Sequence, residues 1–264
     1  MWLTERHHPR SRPGATDQPR IHHHPERATA RSRAGSPGGV LRYRLGVDLG
    51  EATWPDIDHT NHVVVVPVGS CEQHGPHLPL ATDAIIAEAL ARDLATRRPG
   101  CLIAPTVAIT ASGEHQGFPG TLSIGTEALY HVVVELVRSA DWAQAVVLVN
   151  GHGGNATAVD RAVEQLETEG RRVLAWWPRV ADGDPHAGHT ETSLMLAVRP
   201  DLVRLERAVS GPIPSTADLV RSGVWALSAS GVLGDPLDAS AEHGAELFGL
   251  LADDLARSVD EWLA

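Results

Sequence analysis

The sequence predicts an α/β fold, a three-layer α/β/α sandwich around a mostly parallel central sheet. Three observations lead there. From about residue 41, strand-like and helix-like stretches alternate, the pattern of parallel strands joined by crossover helices. The strand-like runs are continuously apolar, as in "HVVVVPVG" (62–69) and "AVVLVN" (145–150), which fits strands buried on both faces. Polar clusters follow directly after such runs, where open α/β sheets place their sites.

The elements can be justified in order. Residues 1–40 are rich in Arg, His, Pro, Ser and Gly and poor in apolar residues, so they read as a disordered extension. The run His22 to His24 in it reads as part of a solvated tail. A single domain then spans 41–264. The run 62–69 is the first strand. "DAIIAEALARDLATR" (83–97) has helical spacing, with Thr82 as its N-cap. "CLIAPTVAIT" (101–110) is the second strand and 126–139 the second helix. "AVVLVN" is the third strand, and the helix over 156–170 ends at Gly170. "RVLAWWP" (172–178) is the fourth strand. "TETSLMLAV" opens a further helix, and "AEHGAELFGLLADDLARSVDEWLA" closes the chain with another.

Charge and composition exclude several classes. The 264 residues carry a formal net charge of −11, which argues against nucleic acid as a partner. Nine arginines face three acids within residues 1–45, so the remainder is more acidic still. No run of 18 apolar residues suggests a membrane span, and the basic N-terminus lacks the apolar stretch of a signal peptide. Two cysteines, Cys71 and Cys101, make no disulfide framework and fit a reducing cytoplasm.

Three loops carry the candidate chemistry. "SCEQHGPHLPLATD" (70–83) packs Glu72, His74, His77 and Asp83 behind the first strand. "NGHGGN" (150–155) follows the third strand, and "GDPHAGHTETS" (183–193) follows the fourth. All three should meet on one rim of the sheet. Histidines and carboxylates without thiolate clusters suit Zn²⁺, Fe²⁺ or Mn²⁺. There are enough acids to hold two ions through a shared carboxylate, an arrangement that activates water and polarises a carbonyl together.

"PVGSCEQHGPHLPLATD" resembles the signature of the creatininase family of metal-dependent amidohydrolases. "NGHGGN" and "HAGHTETS" resemble its later motifs in the same order, over roughly residues 50 to 260. The stretches "ASGEHQGFPGTLSIG" (111–125), "HAGHTETSLML" (186–196) and "GVLGDP" (231–236) look most like the family's mycofactocin-system peptidase branch. The resemblance implies two divalent ions per subunit, Fe²⁺ or Zn²⁺ first and Mn²⁺ as a further option. It assigns Glu72 to one ion and His74 to the other, with Asp83 bridging and His152 completing the first site. Creatininase itself carries a metal-binding glutamate two residues after that histidine, where this chain has Gly154. Glu191 is therefore expected to supply the missing carboxylate, and His186 to move protons at the scissile bond. The implied substrate is a modified precursor peptide, cleaved to release its C-terminal cross-linked Val–Tyr-derived unit. A homo-oligomer is the implied assembly.

Other residues have plainer readings. His77 is expected to order its loop. Cys71 lacks the base and orienter that a nucleophile needs. Glu114 and His115 either line the substrate pocket or hold a loop. Of Trp176 and Trp177, one should face the core, leaving Trp177 to stack on substrate. Two rival functions remain: hydrolysis of a small cyclic amide or a formamide, and a non-catalytic, metal-stabilised scaffold for the peptide.

Overall fold

The computed structural model describes residues 47–57, 61–181 and 183–264. The expected extension over 1–40 lies outside the described residues.

Five strands form one sheet in the order β1-β3-β2-β4-β5, every neighbouring pair parallel. They are β1 (Val47–Asp48), β2 (Val63–Val68), β3 (Cys101–Ile103), β4 (Ala145–Asn150) and β5 (Val173–Trp176). Successive side chains on a strand point to opposite faces, and the core divides accordingly. Val63 and Val65 of β2, with Val147 and Val149 of β4, pack against α1 (Thr82–Arg97), α4 (His189–Val198) and α6 (Ala241–Leu263). Val64, Val66 and Val68, with Val146 and Leu148, pack against α2 (Thr126–Ser139) and α3 (Ala156–Thr168). The result is the three-layer sandwich that continuous valine runs require, since neither face of β2 or β4 meets water.

Three details differ from the sequence reading. Thr82 is the first helical residue of α1 rather than its cap; its hydroxyl donates to the Pro79 carbonyl at 2.7 Å. β3 stops at Ile103, well short of residue 110. Pro105 has no N–H to give a ladder, and the chain beyond it keeps only spaced bonds to β2, such as Val107 N–H to the Pro67 carbonyl at 2.9 Å. A further helix, α5 (Thr216–Leu227), was not anticipated. Its backbone leaves helical values at Gly223, so its sequence shows no unbroken helical period.

Parallel strands bring their carboxyl ends to one edge. β2 and β4 run level, with Val68 beside Asn150, so the loops that follow them start side by side.

Candidate metal centre

Glu72 and His74 lie on the loop after β2. Asp83 is in the first turn of α1, and Glu191 in the first turn of α4. Helix N-termini favour carboxylates there, because their unpaired N–H groups carry partial positive charge. His152 follows β4 directly, and His186 lies between β5 and α4. Glu72, His74, Asp83, His152 and His186 are all buried.

These side chains form sets whose donor atoms lie within 4.8 Å of one another: Glu72, Asp83 and His152; His74, Asp83 and Glu191; and Glu72, His74 and His186. Asp83 joins the first two sets. Its Oδ1 is 3.0 Å from His74 Nε2, its Oδ2 is 3.1 Å from His152 Nδ1, and the Ser70 hydroxyl donates to Oδ2 at 2.9 Å. Glu191 Oε2 is 3.9 Å from His74 Nε2 and accepts the Ala187 N–H at 2.6 Å.

The donors fit divalent cations. Both oxygens of Glu72 are buried without a hydrogen-bond partner. His115 Nε2 and His152 Nε2 stand 3.2 and 3.1 Å from them, close enough for charge attraction but without hydrogen-bond alignment. A buried carboxylate left this way costs several kcal/mol unless a cation compensates it, on the order of the charged-group desolvation penalty. Burial, then the neighbouring Asp83, push the Glu72 carboxyl above its usual range. Burial would raise Asp83 as well, yet His74 and His152 hold it well below. Burial opposes a charge on His74, but Asp83, Glu191 and Glu72 together outweigh it and push the imidazole up to about 10. The acids thus hold positive charge on the His74 and His152 rings.

Gln73, which the sequence reading passed over, fixes two of the rings. His186 Nε2 lies 2.8 Å from the Gln73 carbonyl, which can only accept, so that nitrogen carries the proton. The Gln73 amide then gives its two hydrogens to His115 Nδ1 at 2.9 Å and the Gly231 carbonyl at 3.1 Å. His186 Nδ1 is left bare, 3.9 Å from Glu72 Oε1. Burial and the charged His74 lower the His186 pKa to about 4, so the ring is a neutral proton acceptor. Asn155 is a second omission. It donates to the Gly69 carbonyl and to Asn150 Oδ1, and accepts the Ala111 N–H, tying together the chain segments after β2, β3 and β4. Both residues sit inside the quoted motifs, but an amide has too many plain roles to signal this one.

The remaining expected residues fall in three places. Trp176 is buried and donates to Asp254 at 2.9 Å, whereas Trp177 lines a cavity of about 260 Å³ with Asp83, His152 and Glu191. His77 is buried, with Nε2 2.9 Å from the Thr192 hydroxyl, and belongs to none of the ligand sets among the described residues. His115 and Glu114 do not line that cavity; they stand against Glu72 and His152. Glu191, expected to supply the carboxylate absent at Gly154, is delivered by α4 to His74 and Asp83. The carboxylate beside Gly154 is that of Glu114.

Residues 50–259 match the creatininase family, described as creatinine amidohydrolase. The mycofactocin precursor peptide peptidase of Mycobacterium tuberculosis (strain CDC 1551 / Oshkosh) is 48% identical over 231 residues, covering 82% of this chain and 92% of that protein. The creatinine amidohydrolase of Pseudomonas putida is 30% identical over 253 residues, 81% of this chain and 96% of that one. Among solved structures, a manganese form of creatininase superposes with a TM-score of 0.69 at 28% identity, covering 82% of this chain and 98% of its own. The chain belongs to the creatininase family of metal-dependent amide hydrolases.

Proposed function

We propose that this protein is a peptidase of mycofactocin biosynthesis. It hydrolyses an amide bond of the modified precursor peptide and releases the C-terminal cross-linked Val–Tyr-derived unit. The observation that carries the reading is the pair of acid–imidazole sets that share Asp83 beside the unpartnered Glu72 carboxylate. The substrate rests on the 45–48% identical relatives, all named mycofactocin precursor peptide peptidase.

In this reading Glu72, Asp83 and His152 hold one divalent ion, and His74, Asp83 and Glu191 hold the other. A zinc–zinc form of a mutant creatininase supports a two-ion site and a manganese form supports divalent metal there, and Fe²⁺ fits the same nitrogen and oxygen donors. Bound ions would make a water acidic and polarise the scissile carbonyl. His186 Nδ1 takes up a proton and delivers it to the leaving nitrogen, which is a poor leaving group until protonated. The Gln73 carbonyl holds the ring in the tautomer that leaves Nδ1 free. Trp177 on the cavity wall offers an aromatic face to the tyrosine-derived part of the substrate. The protein works in the cytoplasm as a homo-oligomer; exposed Trp54, Ile213 and Leu250 are apolar surface that an assembly would cover.

The test is to incubate metal-reconstituted protein with modified precursor peptide and read the products by mass spectrometry. Release of the C-terminal unit supports the proposal. An intact peptide with hydrolysis of creatinine or a formamide would move the protein to another branch of the family. Tight peptide binding with no hydrolysis of any amide would make it a scaffold.

A further inference from the structure

We infer that the part of the peptide substrate upstream of the cleaved bond lies in a groove between β5 and α6, paired to the open edge of β5, with a carboxylate against Arg179. This rests on the peptidase reading above. The cavity at the metal centre measures about 260 Å³, below the roughly 300–1,000 Å³ usual for drug-sized ligands. It has room for a released terminal unit, and the rest of the chain must lie outside it. A second cavity of about 610 Å³ adjoins it. Trp177 and Leu251 line both, so the two form one path past the Trp177 ring. The second is walled by Ala175, Trp177 and Arg179 on one side and by Leu251, Asp254 and Ser258 of α6 on the other.

β5 is the last strand of the sheet, with β4 as its one neighbour among the described residues. The Val146 N–H donates to the Arg172 carbonyl at 3.0 Å, and Val146 pairs with Val173. Alternation along the ladder then turns the backbone of Leu174 and Trp176 toward β4 and that of Val173 and Ala175 away from it. Val173 is buried, but Ala175 is half-buried and lines the groove. Its N–H and C=O are a donor and an acceptor open to an added strand. Edge strands are commonly blunted by proline or charge, and the β5 sequence "VLAW" holds neither. β5 runs toward the metal rim, as does a peptide whose C-terminal unit sits there. The added strand is therefore parallel, like every pair in the sheet. Charge supports the same occupant. Asp253 pairs with Arg97, while Asp254 accepts from Trp176 and pairs with Arg257. Arg179 is exposed and makes no ion pair or hydrogen bond among the described residues. In a chain of net charge −11, an uncommitted guanidinium in this groove selects a carboxylate on the peptide.

The test uses metal-loaded, full-length protein and the precursor peptide truncated just before the released unit, labelled for fluorescence anisotropy. Wild type is expected to bind this fragment, and the fragment to compete with cleavage of the modified precursor. Ala175→Pro removes the outward N–H and leaves in place the ladder bonds that Leu174 and Trp176 make to β4. Ala175→Pro and Arg179→Glu should each weaken fragment binding roughly tenfold or more. Hydrogen exchange should slow at the Ala175 amide when the fragment binds and stay as it was at Trp176. Melting checks that each variant folds, and the surface change Arg179→Glu carries the test if the proline does not. No fragment binding by wild type, or unchanged affinity in either folded variant, would overturn the groove, while cleavage of the modified precursor by wild type would leave the peptidase reading intact. Dissociation of an oligomer by Ala175→Pro with fragment binding unchanged would give the edge to a second copy of the chain and overturn the proposal too. Fragment binding that behaves as expected, with no cleavage of the precursor, would overturn the peptidase reading and keep the groove as a peptide site.

Discussion

Removal of the His186 ring separates a proton-transfer group from a metal ligand. His186→Ala deletes an imidazole that donates from Nε2 to the Gln73 carbonyl at 2.8 Å and packs at a tilt between His74 and His115, with ring centroids 4.3 and 4.4 Å away. Two costs follow. A buried carbonyl loses its donor, which is worth about 1–3 kcal/mol of stability. The leaving nitrogen loses its proton source, and a positioned acid contributes about 10²–10⁴-fold. The lower figure corresponds to about 2.7 kcal/mol of barrier. Both ions should stay, because Glu72, Asp83 and His152 on one side and His74, Asp83 and Glu191 on the other remain whole. The assay is single-turnover cleavage of the modified precursor peptide, with bound metal counted in the same samples. Turnover should fall at least 100-fold, by that estimate, with peptide affinity preserved. Loss of one metal equivalent would instead make His186 a ligand beside Glu72 and His74, with which it shares a third donor set. Unchanged turnover would remove it from the mechanism.

Asp83→Asn should empty both ion positions, since both use this carboxylate, whereas Glu191→Gln should affect only the position it shares with His74; elemental analysis showing equal loss in the two variants would contradict the bridging role. Metal uptake should release protons and strengthen as pH rises. In the metal-free protein His74 titrates near 10 and is charged at neutral pH, but a ligand imidazole must be neutral. Calorimetry in buffers of different ionisation enthalpy gives the proton count, and a count of zero would rule this out. Leu148→Ala, at 1% exposure in β4, a strand flanked on both sides, should destabilise the domain by about 2–5 kcal/mol in a denaturant titration. Burial pushes the Cys101 thiol up to about 11, so it should resist a thiol reagent at pH 8 until the protein is unfolded; fast labelling in the native state would place it wrongly.

What the sequence reveals about this site depends on whether a residue's neighbours are set by chain distance or by packing. Glu72, His74 and Asp83 occupy one loop and the first turn of the next helix, so their meeting follows from local structure. His152 joins them because β2 and β4 run level, with Val68 beside Asn150; valine runs that must be buried on both faces already place those strands at the centre of the sheet. Glu191 lies beyond that reach. Its motif says that it arrives on the rim, but only the packing of α4 against α1 and α6 decides that it meets His74 rather than Gly154. Glu114 is further still from legibility. β3 breaks at Pro105, and the chain that follows returns across the sheet edge through spaced bonds to β2. No periodicity describes such a path, so nothing in the order of residues brings position 114 to position 154. The glycine marks a missing side chain in the sequence. Only in three dimensions does it become the place where the Glu114 carboxylate approaches the His152 ring.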